Sequence, residues 1–169
     1  MKILKNNISH SFLSALLICS TSLMTVEANA EDGAVRFSNN AFKQVITKNS
    51  DGTVQYDYVE PKLVLPDDVI LYEIIFENIT QQDISNIVVN NPIANNSTYR
   101  ESSASGDSTE ITFSVDGENF SSAETLTVKS ATGVAINAKP ESYTAIRWLY
   151  KKTLKPGEKG KVTYKTTIK

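Results

Sequence analysis

The chain reads as all-β, and three observations say so. Short runs alternate apolar and polar residues, as half-buried strands do. Turn pairs punctuate these runs: Asp51-Gly52, Asp116-Gly117 and Pro156-Gly157. No stretch after residue 30 shows the periodicity of an amphipathic helix.

The elements follow in order. Val54, Tyr56 and Tyr58 alternate with Gln55 and Asp57. Before them, Asp51-Gly52 supplies the positive φ of a hairpin turn. Residues 35–47 are the partner strand, with an interruption expected at Ser38-Asn39-Asn40. Pro66-Asp67-Asp68 turns the chain into the clearest strand, 69–77. There Ile70, Tyr72, Ile74 and Phe76 share one wholly apolar face. Asn78 ends it. Ile84 and 87–89 form the next strand, stopped by Asn90-Asn91-Pro92.

Residues 95–97 and 102–108 are polar and read as loops. Ile111, Phe113 and Val115 alternate, then Asp116-Gly117 turns. Leu126 and Val128 mark a short strand, and Ile146, Trp148 and Tyr150 another. The last run places Val162, Tyr164, Thr166 and Ile168 on one face and Lys161, Lys165 and Lys169 on the other. About eight strands at this spacing predict an immunoglobulin-like, two-sheet antiparallel sandwich with an N-terminal hairpin. A small barrel is the alternative. Without repeats or a low-complexity linker, residues 31–169 read as one domain.

Residues 1–30 read as a cleaved secretory signal. Lys2 and Lys5 precede an apolar run, 12–19, shorter than the roughly 20 residues of a membrane span. Ala28 and Ala30 set a cleavage site before Glu31. This reading is preferred to an uncleaved anchor. It is also preferred to lipid attachment at Cys19, where Ile18 occupies the position that wants a small residue. Export to the periplasm or the cell surface follows. Cleavage would remove His10, Cys19 and both methionines. Histidine triads, thiol nucleophiles and Cys/His zinc sites would go with them. No disulfide would remain.

Gly157-Glu158-Lys159-Gly160-Lys161 resembles a phosphate loop only at a glance. The Walker pattern needs four residues between its glycines, a Ser or Thr after the lysine, and a following helix. Two residues separate these glycines, Val162 follows Lys161, and a strand pattern comes next. Pro156-Gly157 fits a type II turn instead.

Pro66-Asp67-Asp68 with Ile70, Tyr72, Ile74, Phe76 and Asn78 is similar to the opening of a bacterial surface-domain family, domain of unknown function number eleven. That family is related to repeats of the large cysteine-rich outer-membrane protein. Asn86-Ile87-Val88-Val89, Asn91-Pro92, Trp148 and Leu154-Lys155-Pro156-Gly157 continue the likeness, which covers 63–169. It implies an immunoglobulin-like module on an exported or surface protein, often in tandem copies, with no catalytic residues to transfer. Two positions depart from the pattern: Asp67 stands at a usual glycine and Ala94 at a common proline. Asp67 is expected to convert the type II turn to type I.

Charge is uneven. Residues 31–169 carry 15 basic and 18 acidic side chains, net −3. Residues 147–169 alone carry +7, and residues 31–146 carry −10. A basic strand and turn on an acidic body could meet an anionic glycan, an envelope protein or another copy of the chain. Lys151, Lys152, Lys161, Lys165 and Lys169 are the contact candidates. The competing reading is that these lysines protect an exposed edge strand or pair with neighbouring acids. Nucleic acid is a poor partner, because the net charge is negative and no stacking platform stands apart from the core pattern.

Catalytic, cofactor and metal sites are not assigned. Glu73 and Glu77 lie about 13 Å apart along a strand, too far for a retaining glycosidase pair. Asp116-Gly117-Glu118-Asn119 lacks calcium-loop spacing. Tyr99 and Tyr143, near loops, are candidates for sugar contact, with core packing the competing role. The function expected is a non-enzymatic interaction or structural module of the bacterial envelope. A carbohydrate-binding module or carboxylate-dependent envelope hydrolase is the alternative.

Overall fold

A computed structural model describes residues 33–169. The predicted leader lies outside the described residues. Eleven strands form: β1 (Val35–Lys48), β2 (Val54–Val59), β3 (Val69–Asn78), β4 (Val88–Pro92), β5 (Ser97–Tyr99), β6 (Ser105–Gly106), β7 (Thr109–Ser114), β8 (Thr127–Lys129), β9 (Ala135–Asn137), β10 (Ala145–Tyr150) and β11 (Lys159–Ile168). A 3-10 turn at Pro140–Ser142 is the one helical piece among the described residues.

The larger sheet runs β2-β1-β3-β11-β5, with β6 also on β11, and the smaller runs β4-β10-β7. β8 and β9 make a separate hairpin. Every pairing of these strands is antiparallel. The result is the predicted sandwich, without barrel closure.

Apolar alternation explains how the layers meet. Ile70, Ile74 and Phe76 of β3 and Val162 and Tyr164 of β11 turn inward. Val89, Ile146, Trp148 and Tyr150 answer from the smaller sheet. Phe76 meets Tyr150 edge-on at 5.2 Å between ring centroids, and Trp148 lies 6.0 Å from Tyr164. Such aromatic pairs add about 1 kcal/mol each beyond area burial. Tyr99, Phe113 and Tyr143 close one end of the core.

The far end is closed by one amide. Asn78 is fully buried. Its Nδ2 donates to the carbonyls of Gln82 (2.7 Å) and Leu154 (2.8 Å), and its Oδ1 accepts from Thr80 N (2.9 Å) and Oγ1 (2.8 Å). All four side-chain valences of the amide are used. The asparagine that ends β3 therefore ties it to the turn before β11. Two buried polar atoms have no partner among the described residues, Trp148 Nε1 and Thr166 Oγ1.

Several local expectations are corrected. β1 runs unbroken through Asn39 and Asn40, which pair with Ile74 and Glu73 of β3. The continuous ladder with β3 outweighs weak strand propensity there. β4 likewise continues through Asn90 and Asn91 to Pro92, because β10 supplies its partner residues. Ile84 belongs to a separate bridge with Leu154. Ser97 and Ser105-Gly106, read as loop, pair with β11. Asp67 takes φ 69° as third residue of the turn Leu65–Asp68, in which Asp68 N donates to Leu65 O. The turn is thus type II with aspartate in the glycine position. It is held by Asp67 N on Ile168 O and by Asp68 Oδ2 accepting from Leu65 N.

The Pro156-Gly157 turn is as expected: Gly157 has φ 74° and Glu158 N donates to Lys155 O. The second glycine of the segment has another cause. A Cβ at Gly160 would overlap the Phe76 ring. Gly160 is kept for packing.

Candidate functional site

Two surfaces compete for a functional role. The first is the basic C-terminal segment. β11 is an interior strand, flanked by β3 on one side and by β5 and β6 on the other. β5 and β6 pair with β11 only from Val162 onward, so edge protection is left only to Lys159 and Lys161. Their side chains rise from the outer face of the larger sheet, where β3 presents glutamates. Lys161 Nζ lies 3.0 Å from Glu73, and Glu73 also accepts from Asn40. Glu77 stands between Arg36 (3.8 Å) and Lys159 (3.6 Å).

Beyond β11, Lys151 pairs with Glu110 at 2.6 Å and Lys152 with Asp107 at 2.9 Å. Lys165 sits over the Tyr58 ring, 5.2 Å from its centroid, and Lys169 donates to Asn95 O. Four of the eight basic residues in 147–169 thus pair with acids: Lys151, Lys152, Lys159 and Lys161.

The five candidate lysines do not form one cluster. Lys161 and Lys165 are four residues apart on one strand, about 13 Å along the sheet. Lys169 ends the chain beside β5. Lys152 and Lys161, together with Lys159, do share an open cleft of about 380 Å³, also lined by Asp107, Tyr150 and Glu158. The ammonium of Lys152 holds the Asp107 carboxyl below its ordinary range, and Asp107 in turn raises Lys152. Glu73 is lowered chiefly by its hydrogen bond from Lys161, then by Asn40, against some desolvation.

The other sequence candidates are structural. Asp116 accepts from Asn119 Nδ2 and N, Glu118 N and Ser114 Oγ, which hold its carboxyl far below the usual range. Its oxygens are spent on its own turn. Among the described residues no group of three or more His, Cys, Asp or Glu side chains could hold a metal. Tyr99 and Tyr143 are buried with Phe113, in the core role.

The second surface was not singled out by sequence. β1 is shared between two partners: its first half pairs with β3 and its second half with β2. The β1–β2 hairpin thus extends past the region covered by the smaller sheet. On its outer face Ile46, Val54 and Tyr56 are 66%, 51% and 56% exposed, with Tyr58 and Phe42 beside them. Val59 is exposed on the other face, and the following Leu63, Val64 and Leu65 are exposed too. The alternation of Val54, Tyr56 and Tyr58 disclosed a strand. It could not disclose that the apolar side faces away from the core.

No family model matches the chain, and neither the curated proteins nor the solved structures yield a significant match.

Proposed function

We propose that this chain is a non-enzymatic interaction module exported to the bacterial envelope, and that its N-terminal hairpin is the binding surface. One observation carries the reading. Ile46, Val54 and Tyr56 are large apolar side chains on one face of a projecting hairpin, and no described part of the chain covers them. Concentrated exposed apolar surface marks a site of association. The leader-like residues 1–30 and the resemblance to surface-protein domains support the compartment.

The test is a crosslinking pull-down from native envelope, with the intact protein and its Ile46→Ser/Tyr56→Ser variant as baits. Capture by the intact protein and loss with the variant is expected. Equal capture by both baits would remove the hairpin from the account.

A second reading is favoured by the cleft containing Lys152, Lys159 and Lys161, which could take an anionic glycan. A glycan array at low and high salt checks it. Binding should fall with salt and with Lys159→Ala/Lys161→Ala; absence of binding at low salt would sink it. Of the two carboxylates in that cleft, Asp107 is held below its ordinary range by Lys152 and Glu158 accepts from Lys155 N.

A further inference from the structure

We infer that the free edge of β2 pairs with β2 of a second copy of this chain, antiparallel about a two-fold axis at Tyr56. The inference rests on the interaction reading above and names the partner.

The hairpin turn sets which backbone groups are free. Asn49 N donates to Thr53 O at 2.9 Å and Gly52 N to Asn49 O at 3.0 Å. With Gly52 at φ 84°, this is a three-residue loop closed on the hydrogen-bonded pair Asn49–Thr53. Bonded and non-bonded pairs alternate along an antiparallel ladder. Thr47–Gln55, Val45–Asp57 and Lys43–Val59 are then the bonded pairs of the register. The N–H and C=O groups of Val54, Tyr56 and Tyr58 therefore point away from β1. No hydrogen bond between described backbone groups reaches them from outside the hairpin. The following segment does not cover this edge; it returns past β1, where Lys43 Nζ contacts Leu63 O and Asp68 Oδ2.

The edge is weakly protected. Val54–Val59 contains no Lys, Arg or Pro, carries Asp57 as its one charge, and pairs without a bulge. One edge strand of the smaller sheet, β4, ends in Pro92.

Self-complementarity selects the partner and the register. Only even-numbered residues of β2 can bond across the edge. With the axis at Tyr56, Val54 lies opposite Tyr58 of the second copy and Tyr56 opposite Tyr56. These pairs share the apolar face. On the other face Gln55 lies opposite Asp57, an amide donor against a carboxylate. Within one copy Gln55 Nε2 already donates to Asp57 Oδ1 at 2.8 Å, so the two groups suit each other. An axis at Asp57 would oppose two carboxylates, which is unfavourable. An axis at Gln55 would leave Tyr58 opposite the turn. The Tyr56 register alone matches apolar with apolar and acid with amide, and it closes as a two-fold dimer. Five residues a side, 54–58, make a small interface, so association is expected to be reversible and concentration-dependent.

Sedimentation velocity of the purified protein over a concentration series tests this. The weight-average sedimentation coefficient should rise toward that of a dimer. Tyr56→Lys and Tyr56→Glu should each remain monomeric, since like charges would face each other at the axis. An equimolar mixture of the two should associate again. If either variant loses the circular dichroism of the intact protein, Val54→Lys replaces it and should weaken association likewise. A wild type that stays monomeric throughout overturns the inference, as do single-charge variants that associate unchanged. A monomeric wild type whose envelope capture still depends on the hairpin overturns self-pairing alone and leaves the interaction reading standing.

Discussion

The two ends of the described chain make opposite use of their side chains. The C-terminal strand β11 carries the conspicuous charges, yet it lies inside the sheet and its Lys159 and Lys161 meet glutamates of β3. Strand β2 of the N-terminal hairpin carries a single charge, Asp57, yet it is a free edge with its apolar residues in solvent. Charge in a sequence is visible one residue at a time. Whether it is free depends on strand neighbours far away in the chain. The surface proposed to bind is the one with fewer charges.

That contrast can be broken at several points. The largest effects belong to the C-terminal side, where β11 and its turn hold the core. Asn78→Ala should cost about 3 kcal/mol or more, because it strands buried carbonyls and the Thr80 amide. Gly160→Ala should cost about 2 kcal/mol, as Phe76 must move to admit the methyl group. Urea unfolding measures both. If either were neutral, the packing account of this turn would fail.

A smaller effect of opposite sign is expected at Thr166. Its hydroxyl is buried without a partner, so Thr166→Val should stabilise by about 1 kcal/mol. The ion pairs come next. Lys161→Met should cost less than about 1 kcal/mol, since the pair with Glu73 is partly exposed. Substitution of Ile46 and Tyr56 by Ser should change stability by about 0.5 kcal/mol or less, since both are solvent-exposed. A large loss there would make the hairpin a structural element.

Acid should act through the paired carboxylates. Glu73 and Asp68 are held below their ordinary range, chiefly by hydrogen bonds from Lys161 and Lys43. A carboxyl lowered in the folded state contributes stability above its unfolded pKa, about 4, and loses it as pH falls toward the folded value. Unfolding stability should therefore decline below about pH 4, less steeply in Glu73→Gln.

Much of this fold was legible in sequence because alternation reports burial locally. The inward faces of β3, β10 and β11 were read residue by residue, and Asp51-Gly52 and Pro156-Gly157 mark real turns. The failures share a cause. Asn39, Asn40, Asn90 and Asn91 look like breakers, but neighbouring strands supply the hydrogen bonds that keep them extended. Asp67 accepts a left-handed φ because Ile168 and Leu65 anchor its turn. The hairpin surface was missed for the converse reason. An alternating strand is expected to face a core, and only the topology shows that β2 lies beyond the smaller sheet.

Amide hydrogen exchange at low and high protein concentration tests the central claim most directly. The amides of Val54, Tyr56 and Tyr58 should exchange fast in dilute solution and gain protection as concentration rises. Those of Val162, Tyr164 and Thr166 in β11 should be protected throughout. Hairpin amides already protected in dilute protein, or unprotected at every concentration, would contradict the account.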